Sequence, residues 1–243
     1  MKFPHPLTPA VLLKRYKRFL ADIRFDDGTE LTAHCANPGS MMGLAEPGSR
    51  IYVSKSDNPK RKLAWSWELV EVASPADGAP TLVGINTAHP NRVVEEALLT
   101  HQLPALSGYA SLRREVKYGE NSRIDLLLED PHRAATYVEV KSVTLSRDAG
   151  IAAFPDAKTS RGAKHMAELA AQVRAGHRAI VLFLVQRDDC TEMRPAADID
   201  PYYAQALADS VRAGVEPLCY SCKLSPTGIE IHQSLPITLK VSV

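Results

Sequence analysis

The sequence predicts a mixed α/β protein in two parts. Residues 1–86 read as a small β-barrel, and residues 87–243 as an α/β sandwich with a mixed central sheet. Three observations predict it. Short, alternating apolar runs broken by turn residues fill the chain as far as Ile85. Helical periodicity begins only at Asn91, and from there helix-like and strand-like segments succeed each other. One of those strands, 179–185, is nearly all apolar, the mark of a strand covered on both faces.

In the first part, residues 1–9 contain three prolines and read as an extended arm. Residues 12–25 alternate loosely (Tyr16, Phe19, Ala21, Ile23, Phe25) and predict one long strand. Asp26-Asp27-Gly28 is a hairpin signal, and residues 30–34 return as the next strand. Asn37-Pro38-Gly39-Ser40 opens a loop, Glu46-Pro47-Gly48 makes a turn, and residues 51–53 form a short strand. After a polar loop at 54–62, residues 63–72 carry Trp65 and Trp67 on one face. A turn at 75–80 leads to a last strand at 82–85. Short strands and turns in this number suggest a small barrel of the OB type.

In the second part, Val93, Val94, Ala97 and Leu98 place a helix over 91–99. Strands follow at 113–118, 123–129 and 136–144, joined by turns at Gly119 and Asn121 and at Asp130-Pro131. A helix starts near Thr159 or Ser160 and runs through Met166, Leu169 and Val173 to Gly176. Tyr203, Leu207 and Val211 set a further helix over 201–213, and late strands are expected at 215–220 and 228–231.

The bulk numbers exclude several classes. At 45% apolar and 23% charged residues, the composition is that of an ordinary soluble globular protein. The net charge is 29 − 28 = +1, so any nucleic-acid role must come from local patches. No apolar run is long enough to span a membrane and the N-terminus lacks a signal-peptide core, so a cytoplasmic protein without a membrane partner is expected. Four cysteines are too sparse for a disulfide framework. Cys219 and Cys222 have the spacing of half a zinc site, with Cys190 and His232 as further candidates, but free thiols are the expectation.

The chemistry concentrates in 114–141. Asp125 interrupts an apolar strand, and Glu139 and Lys141 flank Val140 on the next one. Side chains alternate across a strand, so Glu139 and Lys141 share a face, about 6–7 Å apart. If the strands of Asp125 and Glu139 are neighbours, two carboxylates and an ammonium converge. Two such carboxylates repel unless a cation or a shared proton stands between them. Hard oxygen ligands suit Mg²⁺ or Mn²⁺, and the lysine would orient a water or offset phosphate charge. The plainer reading is a salt-bridged sheet face. Glu95 or Glu96 would reach the site from the preceding helix, and Glu96 is carried as the candidate third metal ligand.

Three basic clusters point to phosphate. Lys14, Arg15, Lys17 and Arg18 interleave with Tyr16 and Phe19, and Arg61 and Lys62 lead into Trp65 and Trp67. Cations neutralise phosphates while aromatic faces stack bases. Arg161, Lys164 and His165 sit in the first turns of the helix after the acidic strands, where the helix N-terminus also favours anions.

Helix, strand, strand with Asp, strand with Glu-x-Lys, helix is an order that resembles the PD-(D/E)XK nuclease superfamily. Over nearly its whole length the chain also resembles the sugar fermentation stimulation protein family. The segments that carry this are 13–22, 34–41, Arg61-Lys62 with Trp67-Glu68, 114–118, 121–125 and 138–145. Phe154-Pro155-Asp156-Ala157 and Arg161-Gly162-Ala163-Lys164-His165 complete the set. The resemblance implies an N-terminal OB-like domain, a C-terminal nuclease-like domain, and a DNA-binding family linked to regulation of sugar (maltose) metabolism. Asp125 and Glu139 match the metal-binding acids and Lys141 the motif lysine, with the Val140 carbonyl as an extra ligand. Ile124 stands where the nominal motif has proline, and Glu115 is a further candidate catalytic acid. The leading expectation is therefore a DNA-binding, Mg²⁺- or Mn²⁺-dependent nuclease, weakly sequence-specific on single- or double-stranded DNA. The alternative is a non-catalytic DNA-binding regulator that keeps the nuclease scaffold. A homodimer is the candidate assembly.

Overall fold

The computed structural model describes residues 1–120 and 122–239. Six strands form the first sheet: β1 (Thr8–Tyr16), β2 (Leu20–Arg24), β3 (Glu30–Cys35), β4 (Arg50–Lys55), β5 (Trp65–Ala73) and β6 (Pro80–Gly84). Their order is β3-β2-β1-β4-β5-β6, and a parallel β3–β5 pairing at His34↔Ser66 and Cys35↔Trp67 closes the first five into a barrel. The alternating inward residues fill it, among them Leu12, Ile23, Ala33, Ile51, Val53 and Trp67. Trp67 has no exposed surface and its indole N–H donates to the Leu69 carbonyl at 2.9 Å. Trp65, two residues earlier, is only half-buried and packs against Phe25.

The single strand expected over 12–25 is instead a tight hairpin of β1 and β2. Lys17 and Arg18 turn the chain at φ 47° and 63°. Neither is a residue that visits this left-handed region readily, which costs roughly 1–2 kcal/mol each, and no glycine or asparagine marks the turn. Pairing of Tyr16 with Leu20 keeps the apolar alternation running through it.

The second sheet is built from β7 (Ser111–Tyr118), β8 (Ser122–Asp130), β9 (Arg133–Val143), β12 (Arg178–Val185), β14 (Glu216–Ser225) and β15 (Gly228–Ser234). Asn121, expected in the β7–β8 turn, lies outside the described residues. The order is β15-β14-β12-β9-β8-β7, with β9, β12 and β14 mutually parallel and the outer strands antiparallel, a mixed sheet. Helix α1 (Pro90–Leu99) covers one face, and α2 (Ser160–Arg174) and α3 (Pro201–Arg212) cover the other. The apolar run of β12 serves both: Ile180, Leu182 and Leu184 pack on the α1 side, Val181, Phe183 and Val185 on the α2–α3 side.

A small sheet of β10 (Leu145–Asp148), β11 (Ile151–Phe154) and β13 (Glu192–Pro195) was not expected. Its strands are four residues long and only β10–β11 is local, so no periodicity could announce it. Cys219 and Cys222 fall in the cores on opposite faces of the main sheet, so they cannot close on one zinc ion. All four thiols are free and buried, and burial pushes Cys190 up to about 11 and Cys219 up to about 12. No helix among the described residues is long and apolar enough to cross a membrane.

The two sheets are tied together. The N-terminal arm lies along the β14–β15 turn, where the Met1 ammonium donates to the Ile229 carbonyl at 2.6 Å. Beside it the Phe3 amide donates to the Thr227 carbonyl at 3.0 Å. The Gly84 amide donates to the Gln186 carbonyl at 2.9 Å. The arm thus begins on one domain and becomes β1 of the other.

Trp67→Ala empties the largest fully buried side chain from the barrel. We expect it to cost about 3–5 kcal/mol in denaturant unfolding; a loss below about 1 kcal/mol would contradict this packing.

Candidate active site

β8 and β9 are antiparallel, with Leu126 opposite Val138. The next pair along that register is Asp125 and Glu139, and there the backbone ladder stops. The Val140 amide donates to Asp125 Oδ2 at 2.7 Å instead. The Asn91 amide group, from the first turn of α1, donates to Asp125 Oδ1 at 2.8 Å. The strands therefore part where the two acids meet, and a side chain takes the place of a backbone acceptor.

Alternation along β9 puts Tyr137, Glu139, Lys141 and Val143 on the α2 side and Val138 and Val140 on the α1 side. Glu139 is 3% exposed. Its Oε1 accepts from Lys141 Nζ at 2.6 Å and from His165 Nδ1. A guanidinium can only donate, so the 3.2 Å bond from Arg161 Nε makes His165 Nε2 the acceptor. The imidazole proton then resides on Nδ1, facing Glu139. Arg161, His165 and Glu139 form one chain from the exposed start of α2 into the sheet.

Glu139 Oε2, in contrast, is buried without any hydrogen-bond partner. Burial drives the Glu139 carboxyl upward, but the bonds from His165 and Lys141 outweigh it and hold the group below the usual carboxylate range. Burial and the neighbouring Glu139 charge push Asp125 up to about 6, against the bonds from Val140 and Asn91. One acid is thus ionised with an orphaned oxygen, and the other resists ionising beside it. A divalent cation between them would partner the orphan and relieve the repulsion, and the all-oxygen donors fit Mg²⁺, Mn²⁺ or Ca²⁺. Among the described residues no group of three or more His, Cys, Asp or Glu side chains is arranged to hold a metal. A cation here would take its remaining ligands from water, backbone carbonyl or substrate.

Other expected residues lie elsewhere. Glu96 is ion-paired with the Met1 ammonium at 3.0 Å, and Glu95 with Arg114 at 3.0 Å. The start of α1 is what meets Asp125, and Glu96 lies five residues on, about 7.5 Å further along the axis. Asn91 takes the place assigned to an acid. Only its position in a Pro-Asn helix start hinted at it. Glu115 is exposed on β7 at φ 52°, its carbonyl accepting from Arg123, and no described bond joins its carboxylate to the cluster. Lys164 Nζ donates to the Glu120 carbonyl at 2.7 Å and lies 3.6 Å from Glu168, bracing the β7–β8 turn.

In the barrel, Arg15 is bound to the Asn37 and Gly39 carbonyls at 2.9 and 3.0 Å, so it fastens a loop. Lys14 lies 5.8 Å from the Tyr16 ring centroid, Arg61 donates to Ser66 Oγ at 3.0 Å, and Lys62 is exposed. Lys17 and Arg18 are exposed at the β1–β2 hairpin tip.

The sequence divides between two family models. Residues 13–85 match the SfsA N-terminal OB domain, and residues 88–228 the sugar fermentation stimulation protein RE domain. Sugar fermentation stimulation protein homologs from Paramagnetospirillum magneticum and Rhodospirillum centenum are 58% and 59% identical. Each alignment covers 98% of this chain, and 98% and 100% of the relative respectively. The chain belongs to the sugar fermentation stimulation protein family. A solved member, SfsA of Pyrococcus furiosus in complex with Ca²⁺, superposes with a TM-score of 0.86 at 27% identity over 98% of both chains. This member of the family thus pairs a closed five-stranded OB barrel with a mixed-sheet α/β domain.

The raised Asp125 carboxyl makes a prediction for this family member without metal. Unfolded, the group loses its proton near 3.8; folded, only near 6. Between these values the unfolded state binds fewer protons, so stability falls as pH rises, by on the order of 3 kcal/mol in total. In chelator, Asp125→Asn should gain on the parent by up to that amount between about pH 4 and pH 6, then hold level. Denaturant titrations across pH measure the gap, and a constant gap contradicts the assignment.

Proposed function

We propose that the protein is a DNA-binding, divalent-metal-dependent phosphodiesterase. The observation that carries this is the buried, unpartnered Glu139 Oε2 beside Asp125, at a break in the sheet flanked by Lys141 and Arg161. A purely structural sheet face would satisfy that oxygen or replace the acid. Asp125 and Glu139 would hold Mg²⁺ or Mn²⁺, which supplies a more acidic water and charge neutralisation at phosphate when bound. The Ca²⁺ of the Pyrococcus furiosus relative supports a divalent cation in this fold.

The chain's own groups have distinct tasks in this reading. The Lys141 ammonium, anchored on Glu139, can turn one of its remaining protons toward the attacking water or a phosphate oxygen. The Arg161 guanidinium, exposed at the start of α2, meets the scissile or adjacent phosphate. His165 stays a positioning residue, fixing Glu139 while Arg161 fixes its tautomer. Lys17, Arg18 and Lys62 on the barrel surface would add phosphate contacts that carry no sequence information.

Purified protein incubated with labelled single- and double-stranded DNA should cleave it with Mg²⁺ or Mn²⁺ and not with chelator. Lys141→Ala and Asp125→Asn should each slow cleavage by roughly 100-fold or more. Intact DNA in every lane, with binding retained, would instead favour a regulator that uses the scaffold only to bind.

A further inference from the structure

A second cleft, of about 520 Å³, opens where the N-terminal arm, the end of β4 and the first turn of α1 come together. Three cations line it: Lys2, Lys55 and Arg92. None of the three has a carboxylate partner among the described ion pairs, in a chain whose net charge is only +1. The cleft sets two acids against these three cations. Asp57 is 86% exposed in its side chain and only 3.9 Å-paired with His5. Glu68 is buried and already accepts from Ser54 Oγ, Asn86 Nδ2 and His89 Nε2. The local balance therefore favours an anion.

One wall is aromatic. Trp65 lines the cleft half-buried; Phe25 packs against it at 4.9 Å, and the flexible Lys55 side chain, which a stacking base would displace, holds its ammonium over the ring at 5.7 Å from the centroid. His89, 8% exposed, also lines the cleft, and its Nδ1 is buried with no partner in the protein. An aromatic face and unpaired cations fit a planar heterocycle joined to a phosphate. Position supports the same occupant. Arg92 follows Asn91, whose side chain holds Asp125, so this cleft and the paired carboxylates share the first turn of α1.

We infer that this cleft takes one unpaired nucleotide of a single-stranded segment, its base against Trp65 and its phosphate among Lys2, Lys55 and Arg92. The inference rests on the nucleic-acid reading above and sharpens it by naming the strandedness. Bases in a duplex keep their faces stacked on each other, and extracting one costs a few kcal/mol before any contact is made. A single strand presents that face freely, and stacking on an aromatic ring is tolerant of sequence.

The test uses the full chain in chelator, so that no strand is cut. Binding of a short labelled oligothymidine strand is followed by anisotropy, and tryptophan emission is read in parallel with unlabelled strand. Trp67 is fully buried, so quenching reports Trp65. Quenching should saturate at the strand concentration that saturates anisotropy. Trp65→Ala should weaken strand binding about tenfold while leaving blunt duplex binding unchanged, and Trp65→Phe should restore most of it. Lys55→Ala and Arg92→Ala, on exposed side chains that do not threaten folding, should each lower the salt slope by about 0.7.

Strand binding that is unaltered in Trp65→Ala, or proceeds without quenching, overturns the cleft assignment and leaves the nucleic-acid reading standing. Failure of the parent protein to bind any nucleic acid overturns both. Equal quenching by deoxyadenosine monophosphate, with no gain for the strand, identifies a free nucleotide as occupant and overturns the strand claim.

Discussion

The Val140 amide donates to a carboxylate where a continuous sheet would give it to the neighbouring backbone. That substitution is the constraint on which the second domain turns. Backbone donors inside a protein must be satisfied, so two strands can separate in the core only if something else accepts. Asp125 is the acceptor, and the gap it allows is the space its own carboxylate and Glu139 occupy. The acid that would make chemistry possible is also the group that closes the hydrogen-bond account of the opened sheet.

The arrangement works against stability at the same place. A buried and a half-buried carboxylate face each other, one oxygen has no partner, and burial with the neighbouring charge pushes Asp125 up to about 6. A fold selected for stability alone would put apolar residues at both positions, as it does at Leu126 and Val138 beside them. The cost is contained by support from both layers. Asn91 reaches Asp125 from α1 on one face, while His165, itself held by Arg161, reaches Glu139 from α2 on the other. α1 meets Asp125 through its first turn, where the helix dipole also favours negative charge.

Much of this was legible in the residues. The acids and Lys141 stand out because charges interrupt apolar strands, and a period of two is enough to place Glu139 and Lys141 on one face. The all-apolar 179–185 run announced a strand buried on both sides, and the structure places it at the centre of the sheet. The hairpin at Lys17-Arg18 was illegible because it uses residues that usually avoid left-handed backbone. Asn91 was missed for a different reason. Which turn of a helix meets a strand is decided by packing in three dimensions, and periodicity gives only the face. The same limit misdirected Glu96, which lies on α1 but has the Met1 ammonium as its neighbour. Arg15 shows how a basic cluster overstates its surface, since its guanidinium is occupied by two loop carbonyls.

The Met1 pairing explains why the barrel is more than an appended module. Residues at the start of the chain are stitched to the β14–β15 turn, then run on as β1 of the barrel, so the barrel's first strand is anchored on the other domain. The α1 helix packs on the sheet through Val93, Val94 and Ala97. Two polar contacts join it to the rest: Glu96 pairs with the terminal ammonium, and His89, at the helix start, is bonded to Glu68 of β5. Asn91 reaches Asp125 from the first turn of a helix that touches both the barrel and the arm. The first turn of α1 thus lies between the bond of His89 to Glu68 on the barrel side and the bond of Asn91 to Asp125 in the sheet.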